Sequence, residues 1–210
     1  MRIHKFTHSC IYIEDDDVSI LFDPGSYTAK EKSLDIDNLP SLDYILITHE
    51  HADHFDIHLI KKILDKFPDA KIITNHSVKK LLSNERIHSS TTQADFMWIS
   101  NHKHEKVLGP DVMNWGFNIK NKIFNPGDSY EFDKSQTSEI LLLPIQAPWG
   151  HMVQAVEKAL SVKPRYVIPV HDWHWREEAR QALYEQAESV LGKEDITFIK
   201  DIEKVPFEYK

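Results

Sequence analysis

The apolar positions change period several times along the chain, and each change marks an element. Residues 2–7, 10–14 and 18–22 read as strands, and Asp15-Asp16-Asp17 supplies the turn between the second and third. Tyr44-Ile45-Leu46-Ile47, led in by Leu42-Asp43, is apolar without alternation. That is the pattern of a short parallel strand buried on both faces. Residues 56–66 place Ile57, Ile60, Ile63 and Leu64 on one helical face. A strand over Lys71 to Thr74 and a short helix over 76–83 follow. Strands are expected over 94–100 and 115–124, the second broken by a turn near Asn121. The apolar run Glu139 to Leu143 is another strand. A helix over 151–162 directs Val153, Val156 and Leu160 inward, and a buried strand covers Arg165 to Val170. An amphipathic helix over 176–191 and a strand over Thr197 to Ile199 close the pattern. Residues 24–41 lack periodicity and contain Pro24, Gly25 and Pro40, so a long loop is expected there. Loops of that length are usually functional or mobile.

Strands alternating with helices place the chain in the α/β class. No repeat, low-complexity tract or linker interrupts it, and one domain over 1–210 is expected. A chain of 210 residues can bury roughly 70% of its unfolded surface, enough for a core without disulfides. Hydrophobic residues make up 41% and charged residues 28%, ordinary for a globular domain. The net charge of −8 argues against a DNA or RNA partner, which normally meets a basic footprint. The single cysteine, Cys10, excludes an internal disulfide and suits a reducing compartment. No apolar stretch long enough for a signal peptide follows Met1-Arg2-Ile3-His4-Lys5. No run of ~18 apolar residues marks a membrane span. A cytoplasmic protein with a small-molecule substrate, no nucleic acid and no membrane partner is therefore expected. Nothing in the chain assigns an oligomeric state.

The densest chemistry is His49-Glu50-His51-Ala52-Asp53-His54, directly after the apolar run 44–47. Four of these six residues, all metal-ligand types, form the pattern H-x-H-x-D-H. Helical metal motifs space their histidines at i and i+4; this spacing belongs to an extended loop. Such a loop at the carboxyl end of a parallel strand lies where open α/β sheets place their ligand sites. His49 and His51 can share one ion, and Asp53 and His54 can face a second.

The segment THEHADHFD resembles the signature of the metallo-β-lactamase-fold hydrolase superfamily. The rest of the chain is similar in the order that family implies. ILFDPGS (Ile20 to Ser26) resembles its early strand and Asp turn. NPGDSY (Asn125 to Tyr130) resembles the segment supplying a bridging aspartate, and YVIPVHDWH (Tyr166 to His174) the late strand delivering the last histidine. FTHSCIYIE (Phe6 to Glu14) is similar to the branch containing ascorbate-6-phosphate lactonase and uncharacterised metal-dependent hydrolases. The resemblance implies a four-layer αββα sandwich with two mixed sheets flanked by helices. It also implies two divalent ions, zinc in the first place with manganese or iron as alternatives.

A catalytic ion takes about three protein ligands and keeps a position for water, so the loop 49–54 needs partners. Asp128, after Pro126-Gly127, is the candidate bridging carboxylate. His171, at the exit of the strand 165–170, is the candidate beside Asp53 and His54. For the ion at His49 and His51, both His102 and His104 are candidates, and strand parity does not separate them. His104 is preferred because it stands just before Gly109-Pro110-Asp111-Val112, as in similar chains. Asp23 is expected to hold a ligand histidine by a hydrogen bond. His8 and His174 are candidates for supporting the ligands or touching substrate. Trp149, Trp173 and Trp175 are candidates for a pocket rim. His4, His58, His76, His88 and His151 are assigned structural or solvent-facing roles.

This ligand set implies hydrolysis by a metal-activated hydroxide, with Asp53 as ligand and catalytic orienting group. No G-x-S-x-G elbow is present. The leading reading is a hydrolase of a small-molecule lactone, ester, amide or phosphoester. The alternative is a nuclease or phosphodiesterase of the same fold, and a third is a di-iron redox or degenerate binding protein. A redox module would need a flavin partner domain, for which 210 residues leave no room.

Overall fold

A computed structural model describes all residues from 1 to 210. The chain divides into two units, residues 1–93 with 201–210, and residues 94–200. In the first, β1 (Arg2–Lys5), β2 (Ile11–Asp15) and β3 (Val18–Phe22) form an antiparallel meander. After β3 the chain makes α1 (Ser26–Glu31), β4 (Tyr44–Ile47), α2 (Ile57–Lys66), β5 (Lys71–Thr74) and α3 (His76–Asn84). β3, β4 and β5 pair in parallel, with Phe22 opposite Leu46 and Ile47 opposite Thr74. Their carboxyl ends therefore share one edge of the sheet. Asp23, Thr48-His49 and Asn75 all leave from that edge.

One face of this sheet packs against α2 and α3. Tyr12, Leu21, Ile45, Ile47 and Ile72 meet Leu59, Ile60, Ile63, Val78 and Leu82 in a continuous core. Each such side chain taken fully from water stabilises the fold by ~1.5–3 kcal/mol. Both helices start on side-chain caps. Asp56 accepts from the amide of Leu59 at 2.8 Å, and Asn75 accepts from the amides of Ser77 and Val78.

The second unit begins with β6 (Met97–Lys103) and β7 (Met113–Ile119), antiparallel from Met97 opposite Ile119 to Lys103 opposite Met113. Lys120 and Asn121 both sit at positive φ, the conformation a tight hairpin turn requires. That turn leads into β8 (Ile123–Asn125). β9 (Ile140–Pro144), α4 (Met152–Val162), β10 (Tyr166–Val170), α5 (Glu177–Gly192) and β11 (Thr197–Phe198) complete the unit. β8, β9, β10 and β11 pair in parallel, giving the order β11-β10-β9-β8-β7-β6. α4 and α5 pack on this sheet through Ala155, Val156, Ala159, Tyr184, Ala187 and Leu191. The chain ends in β12 (Phe207–Glu208), antiparallel to β1, so the first sheet reads β12-β1-β2-β3-β4-β5. No helix is long and apolar enough to cross a membrane.

Three expectations change, and one strand is additional. Residues 24–41 are not all loop. They hold α1, ended by Lys32 in the left-handed region, and a 3-10 turn at Ile36–Asn38 begun by the Asp35 side chain. Six residues are too few to show a helical period. β6 starts later than expected and runs to Lys103, because the polar positions Asn101 and Lys103 complete its alternation. Val153 faces solvent at 55% exposure. α4 buries Ala155, Val156, Ala159 and Val162 instead, and two small alanines rotate its inner face away from Val153. β12 is too short to leave a pattern in the sequence.

Candidate metal centre

In the first unit, β3 and β4 deliver the site through one buried carboxylate. Asp23 leaves β3 at positive φ and is 1% exposed. Its Oδ1 accepts from the amide of Thr48 at 2.8 Å. Its Oδ2 accepts from the Thr48 hydroxyl at 3.0 Å and from His54 Nδ1 at 3.0 Å. Burial pushes the Asp23 carboxyl above the ordinary carboxylate range, opposed by the His54 ring and the Thr48 donors. The Thr48 hydroxyl has a single hydrogen, and the carboxylate, an acceptor only, takes it. The 3.0 Å contact between Thr48 Oγ1 and His49 Nδ1 must then be donated by the ring. His49 and His54 therefore both carry hydrogen on Nδ1 and the lone pair on Nε2.

The loop 49–54 stays tight because Gly25 lets two backbones meet. A Cβ at Gly25 would lie 1.8 Å from the carbonyl oxygen of Asp53. The amide of Ser26 donates to Ala52 O at 2.7 Å, and that of Asp56 to Pro24 O at 3.0 Å. Within this loop the rings of His49 and His54 lie 4.1 Å apart and those of His49 and His51 4.8 Å apart. Asp53 Oδ2 is 3.2 Å from His8 Nε2 and 4.0 Å from His54 Nε2. His8, at φ 66 and 1% exposed, stands edge-on to Tyr27. Burial, with the charge of Asp53 behind it, pushes the Tyr27 hydroxyl above its usual pKa.

The second unit repeats the arrangement around Asp128, which is 2% exposed. Its amide donates to Asn114 Oδ1 at 3.1 Å, while Asn114 Nδ2 donates to Pro126 O at 2.9 Å. Gly127, at φ 61, turns the carboxylate inward. Asp128 Oδ2 lies 3.1 Å from His171 Nε2 and 3.5 Å from His104 Nε2. His171 leaves β10 at φ 63, and its Nδ1 donates to Gln146 O at 2.6 Å. His104 Nδ1 donates to Glu105 O at 2.5 Å. Carbonyls accept only, so these two rings also hold their hydrogen on Nδ1. Trp149 packs against both, with ring centres 6.0 Å from His104 and 5.6 Å from His171.

His102 occupies different surroundings. Its Nδ1 donates to Glu131 O at 2.9 Å, so its Nε2 accepts from the Ser100 hydroxyl at 2.6 Å. Phe124 and Phe132 enclose the ring, and burial lowers its pKa. His174 is exposed, its ring 6.2 Å from that of His171. Trp173 lies against His174, and Trp175 packs on Tyr184 in the core.

The structure thus brings His8, Asp23, His49, His51, Asp53 and His54 together in one unit, and His104, Asp128 and His171 in the other. Sequence reasoning did not identify Thr48, Glu105 or Tyr130. Thr48 had a signal, since a hydroxyl directly before the first ligand histidine is placed to contact its ring. Glu105 Oε1 accepts from the amide of Tyr130 at 2.9 Å, and Tyr130 donates its hydroxyl to Pro144 O at 2.8 Å. Neither partnership is visible in local sequence. Burial, then the charges of Asp128 and Glu105, push the Tyr130 hydroxyl upward in pKa.

Comparison with known proteins places this geometry in context. Residues 2–171 match the family model described as the beta-lactamase superfamily domain. A UPF0173 protein of Pyrococcus furiosus is 36% identical over 189 residues, covering 81% of this chain and 83% of its own length. A UPF0173 metal-dependent hydrolase of Salinibacter ruber is 26% identical over 197 residues, with 81% and 84% covered. Among solved structures, Igni18, a metallo hydrolase from the archaeon Ignicoccus hospitalis, superposes with a TM-score of 0.70 at 20% identity, over 100% of this chain and 99% of that one. The two six-stranded mixed sheets with their helices agree with the metallo-β-lactamase fold.

Proposed function

Since the chain belongs to the beta-lactamase superfamily, we propose that it is a metal-dependent hydrolase binding two divalent ions. His49, His51, His104 and Asp128 hold one ion in this reading, and Asp53, His54, His171 and Asp128 hold the other. The observation that carries it is a shared geometry of four buried histidines, each with Nδ1 against a protein oxygen. His49, His54, His104 and His171 each donate from Nδ1 to a protein oxygen, which fixes the Nε2 lone pair for coordination. Metal-ligating histidines characteristically donate their second ring nitrogen in this way. The donors are nitrogen and oxygen without thiolate, and zinc is the ion proposed, with manganese and iron as the other outcomes of elemental analysis.

Bound ions would supply Lewis acidity, lowering the pKa of water towards ~7 and polarising a carbonyl or phosphoryl oxygen. The remaining work falls to the side chains. Asp53 orients the attacking water and takes its proton. His8, 3.2 Å from Asp53 Oδ2, holds that carboxylate in place and shares the proton. Asp23 and Thr48 keep His54 and His49 in the coordinating tautomer. Trp149 covers the rings of His104 and His171 and excludes water from them.

The proposed substrate is a small-molecule lactone, ester, amide or phosphoester. The net charge of −8 supports a small substrate over a polyanion, whose capture it would slow. Elemental analysis of the purified protein, with a panel of lactones, esters, phosphodiesters and structured RNA, tests the reading. About two ions per chain are expected, with turnover of a small substrate that Asp53→Ala reduces by several orders of magnitude while the fold persists. Metal content near zero would overturn the proposal. Salt-sensitive RNA cleavage abolished by His54→Ala would transfer it to a nuclease.

A further inference from the structure

We infer that the first unit carries a separate binding site for a phosphate-bearing small molecule, at the carboxyl end of α3. A cavity of about 410 Å³ opens there, lined by Lys79, Ser83, Arg86, Ile87, His88 and Ser89. That volume lies in the range of small-molecule sites. Its lining contains two cations and an imidazole but no carboxylate, in a chain whose net charge is −8. The nearest carboxylate in sequence, Glu85, is engaged elsewhere, accepting from Lys61 Nζ at 2.7 Å. Lys79 and Arg86 enter no ion pair. A phosphate, accepting from the Arg86 guanidinium and the Lys79 ammonium together, is the group this lining matches.

Arg86 lies just past the last residue of α3. α3 ends in paired bonds, from the amide of Arg86 to Ser83 O and from that of Ile87 to Leu82 O, both 3.0 Å. This closing motif needs a left-handed residue, normally glycine. Here it is Arg86, at φ 58, where a side chain is strained. The cap alone would be better served by glycine. Nor are the cations needed to satisfy the last carbonyls of the helix, because the backbone amides already reach Leu82 O and Ser83 O. The Arg86 side chain is thus left to line the cavity.

The test is amide NMR of the full-length protein titrated with AMP, with adenosine as the uncharged control. AMP is expected to shift the amides of residues 79–89 saturably, and adenosine to leave them unmoved. Arg86→Gly should weaken AMP binding at this segment by about ten-fold or more, while the melting temperature stays level or rises because glycine relieves the strain. Lys79→Gln should weaken binding without altering the melt. Unmoved amides in 79–89 at millimolar AMP, equal shifts with adenosine, or an Arg86→Gly variant that binds as tightly as wild type would each overturn the inference. Reading residues 79–89 separates this site from any response at residues 49–54.

Discussion

Replacing Asp23 by Asn tests whether the histidine tautomers are built into the fold. Asparagine tolerates the positive φ at this position, so the backbone is not the variable. The carboxylate accepts three hydrogen bonds, from the Thr48 amide at 2.8 Å, the Thr48 hydroxyl at 3.0 Å and His54 Nδ1 at 3.0 Å. The asparagine oxygen can keep the first. Its NH₂ then faces the Thr48 hydroxyl and His54. A donor opposite Nδ1 forces His54 to accept there and to carry its hydrogen on Nε2, the wrong tautomer for coordination. Supporting partners of this kind are worth ~10–100-fold in metal affinity. The displaced buried bonds should cost a further ~1–3 kcal/mol of fold stability. Chelator competition reads the first quantity and urea unfolding of metal-free protein the second, while ¹⁵N imidazole spectra report the tautomer of His54 directly. If Asp23→Asn binds metal as tightly as wild type with His54 still protonated at Nδ1, the tautomer argument fails, and with it the observation supporting the metal site.

Three further outcomes are expected. His104→Ala should lower metal content while His102→Ala keeps it, because His102 Nε2 is occupied by Ser100; elemental analysis of both variants decides, and the reverse pattern would reassign the ligand. Gly25→Ala puts a Cβ 1.8 Å from the Asp53 carbonyl oxygen, so it should either prevent soluble expression or displace residues 52–54 and abolish metal binding; a variant with normal metal content would refute the close approach. Burial raises the Cys10 thiol far above its ordinary 9.0, so native protein should resist a thiol reagent at pH 8 and react only on unfolding. The folded state holds the Cys10 proton more tightly than the unfolded chain. Its stabilising contribution is therefore complete below about pH 9 and falls by up to ~1.4 kcal/mol per pH unit above it, measurable as a declining urea midpoint between pH 9 and 11 and refuted by a flat one.

What the sequence reveals of the fold follows from how far each signal reaches. The buried parallel strands β4, β9 and β10 are legible because burial on both faces leaves unbroken apolar runs. α2 is legible because ten residues complete nearly three turns of one face. α1, with six, is not. β12 owes its strand geometry to β1, about two hundred residues away in sequence, and no local pattern encodes that pairing. On α4, Val156 and Leu160 meet the core as their spacing implies, while Val153 does not, because close packing selects Ala155 and Ala159 beside them.

The candidate site divides along the same line. His49, His51, Asp53 and His54 announce themselves because one loop must aim several donors within a few residues. His104 and His102 are indistinguishable by parity, since both lie inward, at 5% and 3% exposure. What separates them is the group each Nε2 faces, a carboxylate 3.5 Å away for His104 and a donating serine hydroxyl for His102. That difference is set by Ser100, two residues back, and by Gly116 across the strand pair, where a Cβ would stand 2.6 Å from the His102 ring. Glycine at 116 thus makes the room in which His102 turns away to Ser100. Filling that room with Gly116→Ala should press on the His102 ring and its bond to Ser100 while leaving the Asp128 partners of His104 and His171 where they are. The variant should therefore lose stability but not metal. An equal loss of both would mean that the two histidines are coupled rather than separately held.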